Sequence, residues 1–349
     1  MKQLLAGVCC LLALQGITQG KPRTDSILFR QFSGETSVQF ENLFTVKEIF
    51  IRRLYLADWG FVCWGANEDR GYHLRTYSKT GTLLPGGFIP FGRGPGKASA
   101  TLSGGLYQGL YWVHDILDER IVTERKLKKE NGIDSLVQRD FLLQEQYYSV
   151  AFLNNKEILG AGIYDAKYKV ARIDLASGST NKTYGEFGEP PAGIPFNSWT
   201  DAYQSFLYAN PGGTVAAIAC RFADQVEFID LATGHCRRLM GPEHFLPQYN
   251  PIYAGGRDMM ERTADCRFAF VSGAVTDKYL YLVYSGELEV EGAGNLNSTG
   301  RKIYVYDWEG NPVRKITLPA AVSTIAISPD DSYLYAVNPA TQAIVKARL

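Results

Sequence analysis

The side chains able to do chemistry are few and scattered. Histidine occurs only as His73, His114, His235 and His244, and no G-x-S-x-G motif accompanies them. A metal-assisted hydrolase would need acidic and amide ligands that converge from inner strands. Asp201, Asp258 and Glu261 are the acidic residues that the pattern places near such strands. Glu287, Glu289 and Glu291 alternate, so as a strand they would share a face and could meet calcium or simply deter edge pairing. Asp330-Asp331 precedes a strand and reads as a turn, where Asp hydrogen-bonds local backbone. No catalytic residue, metal set or cofactor motif emerges.

One loop is more specific. Phe91-Gly92-Arg93-Gly94-Pro95-Gly96-Lys97 packs three glycines and a proline around two cations. Such a run fixes a backbone path with positive φ values. It could offer an anion or carboxylate contact through Arg93 and exposed amides, or serve as a connector. It lacks the Lys-Ser/Thr ending of a phosphate loop.

Beyond the first 20 residues, the cysteines are Cys63, Cys220, Cys236 and Cys266, with no C-x-x-C and no metal spacing. A strand should separate Cys220 from Cys236, which places them roughly 10 Å apart, beyond bridging reach. Buried free thiols are expected.

These residues must be positioned by strands. Lys302 to Leu318, KIYVYDWEGNPVRKITL, alternates with a two-residue period, breaks at Glu309-Gly310-Asn311-Pro312, and resumes as a second strand. Tyr279 to Ser285 supplies a strand before it. This antiparallel meander recurs around Phe61–Tyr77, Leu110–Leu127, Ile158–Leu175, Val215–Leu231 and Leu334–Leu349. Repeats spaced mostly near ~50 residues suit propeller blades. The sixth copy stops at its third strand, and an open edge must be closed. Ile27 to Phe40 has strand composition and no blade of its own. The fold expected is all-β, a six-bladed β-propeller closed by an N-terminal strand in the last blade.

Lysine plus arginine equals aspartate plus glutamate at 36 each, which argues against a nucleic-acid partner. Residues 1–20 carry Lys2, an apolar stretch from Leu4 to Leu14 and a small-residue end, the pattern of a secretory signal peptide. Cys9 or Cys10 could carry a lipid anchor. No segment is apolar over the ~20 residues a membrane span needs. The expected organisation is a signal peptide, 1–20, and one propeller domain, 21–349, located outside the cytoplasm in the periplasm or at the cell surface.

Two motifs carry a resemblance. Ile327 to Val337, ISPDDSYLYAV, resembles the SPDG-type blade motif of TolB-like and NHL-like propellers. The 91–97 loop resembles the GRGPGE signature of bacterial secreted six-bladed TolB-like propellers, with Lys97 in place of the usual Glu. The resemblance implies a six-bladed propeller in the bacterial envelope and supplies no catalytic residues.

The function expected is therefore non-enzymatic binding or scaffolding, with an unknown protein, peptide or glycan as partner. Arg93, Trp59, Trp112, His114 and Asp115 end strands or sit in turns, and are the candidate ligand-binding residues. Packing or capping is the other role open to each. The alternative function is a metal-dependent lactonase-like hydrolase on the same fold, although Asp201, Asp258 and Glu261 do not supply the Glu, Asn, Asn, Asp set of that family. Two long connectors, 185–197 and 241–256, bring Phe187, Phe196, Phe245, Tyr249 and Tyr253 to where a pocket could form.

Overall fold

The computed structural model describes residues 24–66, 71–128, 134–163, 165–288 and 299–349. The expected signal peptide with Cys9 and Cys10, and Glu289 and Glu291, lie outside the described residues.

Six antiparallel sheets form the blades. Blade 1 runs Phe50–Ala57, Gly60–Ala66, Tyr72–Ser78 and Phe88–Pro90; blade 2 runs Thr101–Tyr107, Leu110–Asp115, Arg120–Lys128 and Asp134–Leu142. Blade 3 runs Ser149–Phe152, Glu157–Ala161, Tyr168–Asp174 and Thr180–Glu186; blade 4 runs Ser205–Ala209, Val215–Cys220, Gln225–Asp230 and Cys236–Met240. Blade 5 runs Phe270–Val275, Tyr279–Tyr284, Gly300–Asp307 and Pro312–Val322; blade 6 runs Ile325–Ile327, Tyr333–Asn338 and Ala343–Arg348.

The second strands read as almost unbroken apolar runs because neighbouring blades cover both of their faces. Tyr279–Tyr284 shows how alternation sorts them. Tyr281 and Val283 enter the core between blades 5 and 6, while Leu280, Leu282 and Tyr284 enter the core between blades 4 and 5. Every blade interface has such a core.

The first strands line the axis and are tied to one another in a chain that runs from blade 5 through blades 6, 1, 2 and 3 to blade 4. The Ser103 hydroxyl accepts from Val150 N at 3.4 Å, and Ser149 Oγ from Leu207 N at 3.2 Å. Ser272 Oγ donates to Thr324 Oγ1 at 3.1 Å, which accepts in turn from Leu54 N at 3.4 Å. Tyr55 OH donates to the Gly104 carbonyl at 2.7 Å. These bonds join blades 2 to 3, 3 to 4, 5 to 6, 6 to 1 and 1 to 2.

An N-terminal strand does close the last blade, but it is Glu41–Thr45, which pairs antiparallel with Ala343–Arg348. The stretch 27–40, expected to do this, serves two other blades instead. Thr24–Leu28 lies parallel to Cys236–Met240 of blade 4, and Gly34–Ser37 lies parallel to Pro312–Val322 of blade 5. The chain start is thus a belt across the outer edges of three successive blades. Aromatic packing explains the path. Phe29 and Phe32 bury themselves between blades 4 and 5, with Phe32 packed 4.6 Å from Tyr304. Val38 enters the next core.

In each blade, the turns between second and third strands and the blade-to-blade connections share one end, called here the upper face. The two long connectors there fold into a cap. One forms a helix, Phe196–Ala202, absent from the all-strand expectation; the other forms a hairpin, Tyr249–Ala254 with Arg257–Arg262. Among the described residues, no helix is long and apolar enough to cross a membrane.

Candidate functional site

The five residues expected to bind a ligand do not converge. Trp59 is exposed in the turn between the first two strands of blade 1, at the lower end. Trp112 is buried between blades 2 and 3 against Phe152, ring centres 5.1 Å apart. His114 is fully buried, and desolvation takes its imidazole down to about 4. Asp115, also fully buried, accepts hydrogen bonds from Ser99 N at 2.6 Å, Ala100 N at 3.3 Å and Leu117 N at 3.2 Å. It latches the glycine-rich connector. Gly92, Gly94 and Gly96 adopt φ of 136°, 105° and 69°, the left-handed freedom the sequence called for. Gly96 N donates to Asp140, and Arg120 donates to the Lys97 carbonyl at 2.7 Å. The connector is therefore held by blade 2, while the Arg93 side chain stays exposed.

The hydrolase alternative fares differently from its expected geometry. Asp201 lies on the cap helix, and Asp258 and Glu261 on the cap hairpin, not beside inner strands. Asp201 accepts from Met260 N at 3.2 Å, which fastens helix to hairpin. Among the described residues, no group of three His, Cys, Asp or Glu side chains is gathered as metal ligands would be.

A cavity of about 230 Å³ opens on the upper face between blades 3 and 4. Its wall is aromatic. Phe196, Trp199 and Tyr203 recur at helical spacing, so the short helix turns one aromatic face inward. Trp199 packs at 5.9 Å from Phe187 and 6.0 Å from Tyr203. Phe187 and Phe196 were among the connector aromatics expected to line a pocket; Phe187 does, Phe196 backs it, and Tyr253 points to solvent.

The floor is charged. Lys169, from the third strand of blade 3, meets Glu227, from the third strand of blade 4, at 2.5 Å. Arg238 reaches the same oxygen at 3.0 Å and Gln225 at 2.8 Å. Cys236 donates its thiol to the other oxygen at 3.1 Å. Burial alone would raise the Glu227 carboxyl, but the charges of Lys169 and Arg238 hold it below the ordinary range. Lys169 and Arg238 flank the one carboxylate of the floor, and Glu189, on the exposed side of the lining, balances the second cation. Burial pushes the lining thiol of Cys220 up to about 11 and that of Cys236 to about 12, so both stay protonated and unreactive. All four described cysteines are buried and none is in a disulfide, as expected.

Sequence reading missed this site for two reasons. Glu227 stands inside an apolar strand, QVEFID, and its partner lies on another blade. The helix is only seven residues long. The legible signal was the spacing of Phe196, Trp199 and Tyr203.

Comparison with known proteins agrees with the architecture. A family model described as "TolB-like 6-blade propeller-like" matches residues 32–330. A putative exported protein from Bacteroides fragilis aligns at TM-score 0.53 and 10% identity, covering 93% of this chain and 99% of that one. A duf4221 family member from Bacteroides vulgatus aligns at TM-score 0.52 and 9% identity, covering 89% and 97%. At such identity these likenesses show the fold alone. No curated protein matches the sequence.

Proposed function

The chain belongs to the TolB-like six-bladed propeller family, and from that premise we propose that it is a non-enzymatic binding protein of the bacterial cell envelope. The leader-like composition of residues 1–20 supports the envelope address. The binding role rests on one observation, the cavity between blades 3 and 4. It joins an aromatic wall, which suits a flat ring, to a floor of polar donors from Lys169, Arg238 and Gln225, which suits a hydrogen-bond acceptor. A ring-bearing unit of a peptide or glycan fits that chemistry.

The test is a thermal-shift screen with aromatic tripeptides, gluco-oligosaccharides, calcium and zinc. A ligand of the native state alone raises the melting temperature. A peptide or sugar response that disappears in Trp199→Ala supports the reading. A response to metal alone, or one unchanged in Trp199→Ala, overturns it.

A further inference from the structure

The central axis holds a second feature, which borders the cavity between blades 3 and 4 through Gln204. Arg53 rises from the first strand of blade 1, and Phe206 from the first strand of blade 4. These blades are opposite in a ring of six, so contact between them must cross the axis. The Arg53 guanidinium carbon sits 4.9 Å from the Phe206 ring centre. Arg221, just past the second strand of blade 4, places its guanidinium carbon 5.5 Å from the same ring. Two cations therefore share one aromatic ring at the upper mouth of the channel.

Among the described residues, neither cation is neutralised by a carboxylate. Arg221 donates through Nη1 to Tyr148 OH at 2.6 Å and to Gln204 Oε1 at 2.7 Å, both uncharged acceptors. Arg53 donates through Nη1 to the Arg52 carbonyl at 3.0 Å. Among the described residues, no carboxylate forms an ion pair with either. Each guanidinium keeps donors unused, since the group carries five. Two residues along the strand from Phe206, the buried Tyr208 hydroxyl has no hydrogen-bond partner among the described residues. Like charges held together at a half-buried mouth repel unless an anion joins them. Flat guanidinium forks pinned on an aromatic ring are suited to bidentate carboxylate recognition.

We propose that Arg53 and Arg221 form a carboxylate-binding site at the upper mouth of the channel, backed by Phe206. The carboxylate could belong to a free acid or to a peptide terminus, and the experiment separates these. Calorimetry on the full chain would use succinate, N-acetyl-glycyl-phenylalanine, the amide of that peptide, and phosphate, all at matched ionic strength. Saturable binding of succinate identifies a free acid as sufficient. Binding of the peptide acid without succinate identifies a chain terminus. In either case Arg53→Gln and Arg221→Gln should each weaken binding at least tenfold, with the circular dichroism of the wild type. Arg53→Lys, which keeps the charge and loses the fork, should also bind more weakly. Arg221, at the rim, gives a variant expected to fold even if the Arg53 variants do not. The proposal is overturned if no carboxylate binds, if the amide or phosphate binds as well as the acids, or if the folded Arg221→Gln protein retains full affinity.

Discussion

Lys169 and Glu227 stand 2.5 Å apart on different blades, and their ion pair is both the seam between blades 3 and 4 and the floor of the cavity. The two positions are not equivalent. Glu227 is the hub, bonded to Lys169, Arg238, Gln225 and Cys236. Removing its charge strands the buried Lys169 and deprives the half-buried Arg238 of its partner, a loss of about 3–5 kcal/mol for a broken buried pair. Glu227→Gln should therefore lower the urea midpoint strongly. Lys169→Met leaves Glu227 paired with Arg238 and should cost clearly less. Equal losses would show that Arg238 does not share the carboxylate.

Opposed pH effects follow from two buried groups. Desolvation raises the Asp224 carboxyl to about 6, partly countered by hydrogen bonds from Glu243 N and His244 N. Between its unfolded value, about 4, and 6, the folded state holds a proton that the unfolded state has lost, so this group makes stability fall as pH rises. His114, lowered to about 4 by burial, acts the other way. From pH 4 to its unfolded value, about 6.5, the unfolded state holds the extra proton, and stability rises with pH. Each effect is roughly 3 kcal/mol at most, so they largely cancel in the wild type. Asp224→Asn should reveal a rise in stability from pH 4 to 6.5, and His114→Gln a fall. Urea melts across this range, with parallel profiles for all three proteins, would refute the assignment.

The N-terminal belt should matter in proportion to what it buries. Phe32 fills the core between blades 4 and 5 against Tyr304 and Tyr306. Phe32→Ala should cost about 3–5 kcal/mol, the range for a buried aromatic truncation. Deleting residues up to 38 exposes two blade edges but leaves the sixth blade closed. Deleting up to 46 also removes Glu41–Thr45 and opens the ring. Calorimetric melting should show a cooperative transition for the first truncation and a broad or absent one for the second.

The glycine-rich connector is conformational in origin. Gly94 has φ of 105° with open space around it, so a methyl there is resisted by the backbone alone. Gly94→Ala should destabilise measurably in urea, while Arg93→Ala, with its exposed side chain, should leave the midpoint unchanged. A loss with Arg93→Ala would reveal a structural contact.

Much of the fold could be read from residue types, because each blade repeats the alternation seen in Lys302 to Leu318 and breaks at turn residues. The closing strand was misplaced for a physical reason. Ile27–Phe40 and Glu41–Thr45 have similar strand chemistry, and only the cores open to Phe29, Phe32 and Val38 decide which blade each segment joins. The site was less legible. Trp112 and His114 look polar enough for a surface, yet the stacking of blades covers both faces of their strand. Lys169 and Glu227, or Arg53 and Phe206, meet only when the ring closes, so no local pattern announces them.

The most direct test of the binding account follows Trp199 itself. The chain contains five tryptophans, so labelling with 5-fluorotryptophan and assigning by Trp199→Phe gives a separate fluorine resonance for the cavity wall. Titration with aromatic tripeptides and gluco-oligosaccharides should shift the Trp199 resonance saturably while Trp64 and Trp112, buried in blade cores, stay fixed. A Trp199 resonance that no probe moves, or that moves only together with exposed Trp59 at the opposite end, would contradict a binding cavity between blades 3 and 4.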